Sequence, residues 1–149
     1  MDRDDFTLHH RLRVRWSEVD MQRVVFNPQY FVYFDVAVAE YWRAMAARRA
    51  EIHDHYLRLY SVKATAEFHA SAHYDEELEV CSRVARIGRS SLAFAFGIWR
   101  DDKRLVSGEL VYVYADPETQ RSAPLPEALR GAIIAYERVT PEIAGPSTA

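Results

Sequence analysis

The chain has 149 residues, 49% hydrophobic, 13% aromatic and 28% charged, which is the profile of one water-soluble domain with a single substantial core and no room for a second ordinary domain. Nineteen basic against 22 acidic residues give a net charge of -3, without the basic excess that drives binding to nucleic acid or an anionic membrane. The single cysteine, Cys81, excludes an intramolecular disulfide and a multi-cysteine metal site, and residues 1–5 are polar and charged rather than an apolar signal core, so a cytoplasmic protein without a membrane partner is expected.

Residues 7–15 place Leu8, Leu12 and Val14 at even positions, predicting a strand with one buried face. A polar turn from Ser17 to Arg23 leads into a short apolar run and then Asn27-Pro28, where Asn suits a helix N-cap and Pro the first helical position. From there to about residue 49 there is no Gly and no further Pro, and Ala37, Ala39, Ala44, Ala46 and Ala47 favour a helix of about six turns. Its first half is apolar on nearly every side, with Tyr30, Phe31, Val32, Tyr33, Phe34, Val36 and Val38 against only Asp35 and Glu40, so the helix is expected inside the protein.

Four β-rich segments follow, 63–72, 77–87, 91–100 and 104–115, separated by turn chemistry at 73–76, 88–90 and 101–103, and such close neighbours pair antiparallel. In 91–99, Leu92, Phe94, Phe96 and Ile98 alternate with Ala93, Ala95 and Gly97, and the small-residue face is expected to let a helix lie close to the sheet. Asp116-Pro117 ends the sheet, Pro124-Leu125-Pro126 redirects the chain, residues 127–139 predict a short amphipathic helix, and 140–149 read as a flexible tail. The expectation is one α+β domain with its core at about 7–139, a five-stranded antiparallel sheet curled around a long central helix.

The run from Arg15 to Tyr30, Arg-Trp-Ser-Glu-Val-Asp-Met-Gln-Arg-Val-Val-Phe-Asn-Pro-Gln-Tyr, resembles the opening signature of hotdog-fold acyl-CoA thioesterases of the 4-hydroxybenzoyl-CoA thioesterase type. An Asp seven residues before the helix start, an aromatic-Xaa-Pro-Xaa-Tyr helix opening, and the later Tyr74-Asp75-Glu76-Glu77-Leu78, Gly88-Arg89-Ser90-Ser91 and Pro124-Leu125-Pro126 pieces occur in order across about residues 10–130. The resemblance implies a hotdog fold, hydrolysis of a small acyl-CoA to free acid and coenzyme A without a separate cofactor, and a homodimer or homotetramer with active sites at the dimer interface. A non-catalytic acyl-CoA binder and an acyl-carrier-protein thioesterase on the same scaffold are the alternatives.

Thioester hydrolysis needs a base or nucleophile beside the carbonyl carbon and a donor for the developing oxyanion. The resemblance gives Asp20 the carboxylate role, either attacking the carbonyl or deprotonating water; a carboxylate that only caps its own turn is the other reading. A helix start offers unpaired N–H groups, and because Pro28 has none, the N–H of Asn27 is the inferred oxyanion donor, with its side chain free to cap Tyr30. Many members of the family carry His where this chain has Asn27, so the site has no imidazole. Asp35 lies eight residues beyond Asn27, about 12 Å along a helix, and the resemblance implies a carboxylate that reads a ring hydroxyl on an aromatic acyl group. A structural carboxylate paired with Arg43 or with a neighbouring chain is the other reading. Tyr30, with Trp16, Phe26, Phe31 and Phe34, is a candidate lining of an acyl pocket, or ordinary core. Gly88-Arg89-Ser90, with Arg86, is the turn that the resemblance assigns to the nucleotide end of coenzyme A. The pairs His53/His55 and His69/His73 make no shared ligand face, so no metal is expected, and Glu76, Glu77 and Glu79 read as a solvated strand edge.

Overall fold

The computed structural model describes residues 1–144. Its frame is a sheet built from β1 (Leu8–Arg13), β2 (Leu59–Phe68), β3 (Glu77–Ile87), β4 (Ser91–Arg100) and β5 (Lys103–Tyr114), antiparallel in the order β1-β3-β4-β5-β2. The sheet has a sixth strand beyond the five expected. β6 (Glu142–Ile143) pairs parallel with β3 at Arg86 and Ile87, where β1, which ends its pairing at Ser82, leaves β3 uncovered. This strand lies within the segment read as a tail; residues 145–149 of that segment lie outside the described residues. Register shifts interrupt β2 at Ser61/Lys63, β3 at Val84/Arg86 and β4 at Ile98/Trp99, and such bulges increase local strand twist.

Helix α1 (Gln29–Ala46) is 18 residues long, about 27 Å. Its buried residues, Tyr30, Tyr33, Phe34, Ala37, Val38, Tyr41, Trp42 and Met45, fall at intervals of three and four and form one face. That face meets the large-residue side of β4: Phe34 stacks on Phe96 with ring centroids 4.4 Å apart, and Tyr41 packs edge-on against Phe94 at 4.9 Å. The small-residue face of β4, expected against the helix, is on the opposite side. Space there is taken by Trp99, whose ring folds over Gly97, and by Phe6, which packs against Trp99 at 5.6 Å beside the buried Cys81. The close helix approach comes instead at Gly108 on β5, where a Cβ would sit 2.4 Å from the Phe34 ring and 2.9 Å from the Thr65 carbonyl oxygen.

The other face of α1 is open in this chain: Val32 is 46% exposed, and Asp35 and Ala39 are exposed as well. The helix is therefore enclosed on one side, where the sequence pattern predicted enclosure all round. It ends at Ala46 rather than 49, because the N–H groups of Arg48 and Arg49 both turn back to the Met45 carbonyl. A 3-10 turn (Ala50–Ile52) and α2 (His53–Tyr56) then return the chain, burying Ile52 and stacking Tyr56 on Trp42 at 5.3 Å. β2 opens at Leu59, four residues earlier than predicted, and ends at Phe68, after which the N–H groups of His69 and Ala70 share the Leu105 carbonyl.

Helix α3 (Glu127–Tyr136) stops before residue 139 because Glu137 is extended and turned inward. Its carboxylate accepts hydrogen bonds from the Thr7 hydroxyl (2.6 Å), the Tyr41 hydroxyl (2.7 Å) and the Val84 N–H (2.7 Å), tying the chain start, α1 and β3 together. Among the described residues no helix is long and apolar enough to cross a membrane.

Gly108 has an ordinary negative φ, so its requirement is space alone. Gly108→Ala is expected to lower stability by about 1–3 kcal/mol through overpacking against Phe34 and the β2 backbone. It would be read as a lower urea midpoint at unchanged m value.

Candidate active site

The segment between β1 and α1 is short and heavily pinned. The N–H of Val14 bonds the Glu76 carbonyl (2.9 Å), and a 3-10 turn (Trp16–Glu18) leads into a tight hairpin. In that hairpin the Phe26 N–H donates to the Glu18 carbonyl (3.0 Å) and the Asp20 N–H to the Val24 carbonyl (2.9 Å), while the Val25 N–H anchors it to Ala72 (2.8 Å). Arg23 at the tip adopts a left-handed φ of 66°.

Asp20 is half-buried. Its Oδ1 accepts the Gln22 N–H at 2.8 Å, so the carboxylate does cap its own turn, while Oδ2 has no partner among the described residues. Asn27 is exposed, and among the described residues its N–H meets no acceptor, although those of Phe26, Gln29, Tyr30 and Phe31 all do. The expected side-chain cap does not form: Tyr30 N–H donates to the Asn27 carbonyl (3.2 Å), and Pro28, already at helical angles, precedes the first helical residue. An open N–H thus stands at the positive end of α1. Asp20 lies two residues to one side of the Glu18–Phe26 hydrogen bond and Asn27 one residue to the other, on the facing arm of the hairpin.

Glu18, between them, is a site residue that sequence reasoning missed. It is 5% exposed, and its carboxylate accepts the Arg15 N–H (2.7 Å), the Arg15 guanidinium (2.8 and 3.1 Å), the Gln29 amide (3.2 Å) and the Tyr33 hydroxyl (3.0 Å). Burial pushes its pKa up, but the hydrogen bonds and charge from Arg15 and the bond from Tyr33 outweigh it and hold the group below the usual range. The available signal was an Arg three residues before a Glu within a segment bearing Trp16 and Val19.

Tyr30 does not line an open pocket in this chain. It is 2% exposed, and its oxygen accepts the N–H of the buried Ala72 at 3.1 Å. Asp35 has no hydrogen-bond partner among the described residues; Arg43 pairs with Glu40 instead. Partial burial raises the Asp35 pKa, and the Tyr112 hydroxyl on β5 is pushed up to about 12, by burial first and by the Asp35 charge second.

At the Gly88–Ser90 turn, Gly88 and Ser90 are buried and Arg89 and Arg86 are exposed. The turn is held by backbone bonds to Ser91, Tyr114 and Leu125 and by the Arg130 guanidinium on the Gly88 carbonyl (3.0 Å). It stands at the far end of the 11-residue β3 from the Val14–Glu76 bond.

Glu76 and Glu79 are not a solvated edge: Glu76 bonds Arg100 (3.0 Å) and His73 (3.1 Å), and Glu79 bonds Arg3 (2.9 Å) and His9 (2.8 Å). His9, Glu79 and Cys81 bring ligand-type atoms within 4.8 Å of one another. The Arg3 guanidinium already holds the Glu79 oxygen that faces them, and burial pushes the Cys81 thiol up, so the group is satisfied as an ion-paired cluster.

Residues 14–133 match the thioesterase-like superfamily. The chain belongs to that superfamily. A thioesterase of Thermus thermophilus, complexed with coenzyme A and Zn, is similar to it at 25% identity, with a TM-score of 0.78 over 90% of this chain and 96% of that one. A 1,4-dihydroxy-2-naphthoyl-CoA thioesterase from Synechocystis is similar at 19% identity and a TM-score of 0.73, covering 84% and 93% of the two chains. A gentisyl-coenzyme A thioesterase gives 19% identity and a TM-score of 0.70 over 83% and 99%.

The fold is thus a thioesterase hotdog-like fold, α+β, and the activity is thioester hydrolysis. Within this thioesterase the matched region includes the hairpin, α1 and the Gly88–Ser90 turn. The place of Tyr30 in the core has a measurable consequence. Tyr30→Phe leaves the buried Ala72 N–H unsatisfied and is expected to cost about 1–3 kcal/mol in urea unfolding, with KM for thioester substrates unchanged.

Proposed function

We propose that this thioesterase hydrolyses a small acyl-CoA carrying a hydroxylated aromatic acyl group, in the cytoplasm and with no cofactor or metal of its own. The observation that carries the reading is the open Asn27 N–H on one side of the hairpin's last hydrogen bond, with the free Oδ2 of Asp20 on the other. The thioester oxygen accepts the Asn27 N–H, which stabilises the negative charge as the carbonyl carbon becomes tetrahedral. Asp20 either takes a proton from the attacking water and returns it to the leaving sulfur, or attacks the carbonyl itself to form a mixed anhydride that water then hydrolyses; the C–S bond breaks, coenzyme A leaves as its thiol and the acyl group as the free acid.

Asp35, on the open side of α1 and without a hydrogen-bond partner among the described residues, suits a ring hydroxyl, from which its carboxylate would accept a hydrogen bond. Two neighbours of like fold carry names of hydroxyaryl-CoA thioesterases, but at their identity they speak for the fold, and Asp35 carries the aromatic proposal. Arg86 and Arg89 suit the phosphates of coenzyme A, with Gly88 and Ser90 shaping the turn that presents them.

The test is an acyl-CoA panel with free-thiol detection, including 4-hydroxybenzoyl, benzoyl, phenylacetyl and short aliphatic esters, together with an acyl-carrier-protein ester. Asp20→Asn is expected to lower thiol release by about 10²- to 10⁴-fold for each ester cleaved by the wild type, leaving a measurable residual rate. Asp35→Ala is expected to lower kcat/KM for the hydroxyaryl ester by about 10- to 100-fold, the worth of a charged hydrogen bond, and to leave aliphatic esters little changed. Preference for the carrier-protein ester, or full activity of Asp20→Asn, would contradict the proposal.

The hairpin and the Arg89 turn stand at opposite ends of the 11-residue β3, so we propose that two copies complete each site. β2 is an edge strand of ten residues with Tyr60 (40%), Val62 (62%) and Phe68 (46%) exposed, a template for pairing with a second chain. A two-fold axis across β2 reverses strand direction, which carries the partner's Arg89 end to the side of Asp20. Sedimentation is expected to give a dimer or tetramer at micromolar concentration, and Tyr60→Glu with Val62→Glu, like charges facing across the axis, is expected to give an inactive monomer.

A further inference from the structure

We infer that Glu18 is a positioning residue of the thioesterase site: its buried carboxylate, gripped by Arg15, Gln29 and Tyr33, sets the spacing between the Asp20 carboxylate and the Asn27 N–H. This rests on the reading of Asp20 and Asn27 given above and extends it to a residue that touches neither substrate nor reacting atoms.

The carboxylate joins two parts of the chain, the turn before the hairpin and the first two turns of α1. Arg15 donates from the turn that leads into the hairpin, through its N–H (2.7 Å) and both guanidinium contacts (2.8 and 3.1 Å). Gln29 and Tyr33 donate from α1, at 3.2 and 3.0 Å. Meanwhile the Glu18 carbonyl accepts the N–H of Phe26, the residue before Asn27. Glu18 therefore holds the helix by its side chain and the approach to the helix by its backbone, while Asp20 follows two residues later. A shift of Glu18 moves Asp20 and the mouth of α1 relative to one another.

The chemistry of the group fits this role. Five donors converge on it, and a carboxylate offers acceptors only. A glutamine in its place would turn an NH2 group either toward the Arg15 guanidinium and the Gln29 amide, which share Oε2, or toward the Arg15 N–H and the Tyr33 hydroxyl, which share Oε1. Buried ion pairs contribute little net stability compared with apolar replacements, so a buried acid here is better explained by the geometry it enforces than by the folding free energy it adds. Arg15, the counter-charge, is itself largely exposed (74%), which leaves the donors from α1 as the buried half of the clamp.

The experiment compares Glu18→Gln, Tyr33→Phe and Asp20→Asn, singly and as the Glu18→Gln/Asp20→Asn pair, on the ester the wild type cleaves best. Glu18→Gln is expected to lower kcat by about 10- to 100-fold, the scale of a displacement near 1 Å at a reacting centre, with KM within about threefold and a cooperative melt retained. Tyr33→Phe, which keeps the ring in the core, is expected to lower kcat by about 3- to 10-fold; it carries the test if Glu18→Gln does not fold. In the pair, the Glu18 substitution is expected to add no further loss, because what it positions is already gone. Wild-type kcat in a folded Glu18→Gln or Tyr33→Phe, a loss confined to KM, or losses that multiply in the pair would overturn the inference while leaving Asp20 in place. Full activity of Asp20→Asn would bring down the reading of the site and this inference with it.

Discussion

The structure depends on how closely α1 can lie against its sheet. Phe34 fills the contact, stacked on Phe96 and seated over the bare backbone of Gly108, and protein interiors tolerate little slack at such a point. With that ring fixed, the rotation and height of the helix are fixed, and so is the place where its first turn emerges beyond the sheet. The aromatic ladder behind it, Tyr41 on Phe94 and Trp42 on Tyr56, continues the same contact to the other end of the helix. The Glu137 network then locks the chain start and α3 onto the result.

The site is assembled from what this packing leaves unpaired. Inside the domain nearly every polar group has a partner; Arg83 Nε is the exception among buried side-chain atoms of the described residues. At the helix mouth the pattern changes, with an amide and a carboxylate oxygen both unused and, two turns further along α1, an acid without a counter-charge. These groups stay hydrated or meet a ligand, because burial without partners is costly. The hairpin that carries them is nonetheless rigid, pinned through Val14, Val25 and Glu18, so the unpaired groups are held in place by neighbours that are fully paired.

Much of the fold was legible in the sequence because periodicity and turn chemistry act locally. The strands at 77–87 and 91–100 and the start of α1 beside Pro28 follow from alternation, Gly88-Arg89-Ser90 and the Asn-Pro pair. The face that β4 turns to the helix was not legible, since both a smooth small-residue face and an interdigitating aromatic face permit close packing. The answer came from Gly108 on the next strand and from Trp99, which claims the small face for itself. At the candidate site, Asp20 and Asn27 are proposals read from the motif. Glu18 escaped because its role depends on Gln29 and Tyr33, which approach it only once the hairpin closes. Tyr30, read as pocket lining or as ordinary core, lies in the core, a choice the sequence leaves open because aromatic character does not reveal which side of a helix is covered.

Asp35 projects from the helix without contributing a hydrogen bond to the described part of the domain that bears it. Exchanging it for another side chain therefore removes nothing the folded chain relies on. A lineage built on this scaffold can vary that one helical position by drift, while the scaffold around it remains under its own separate selection.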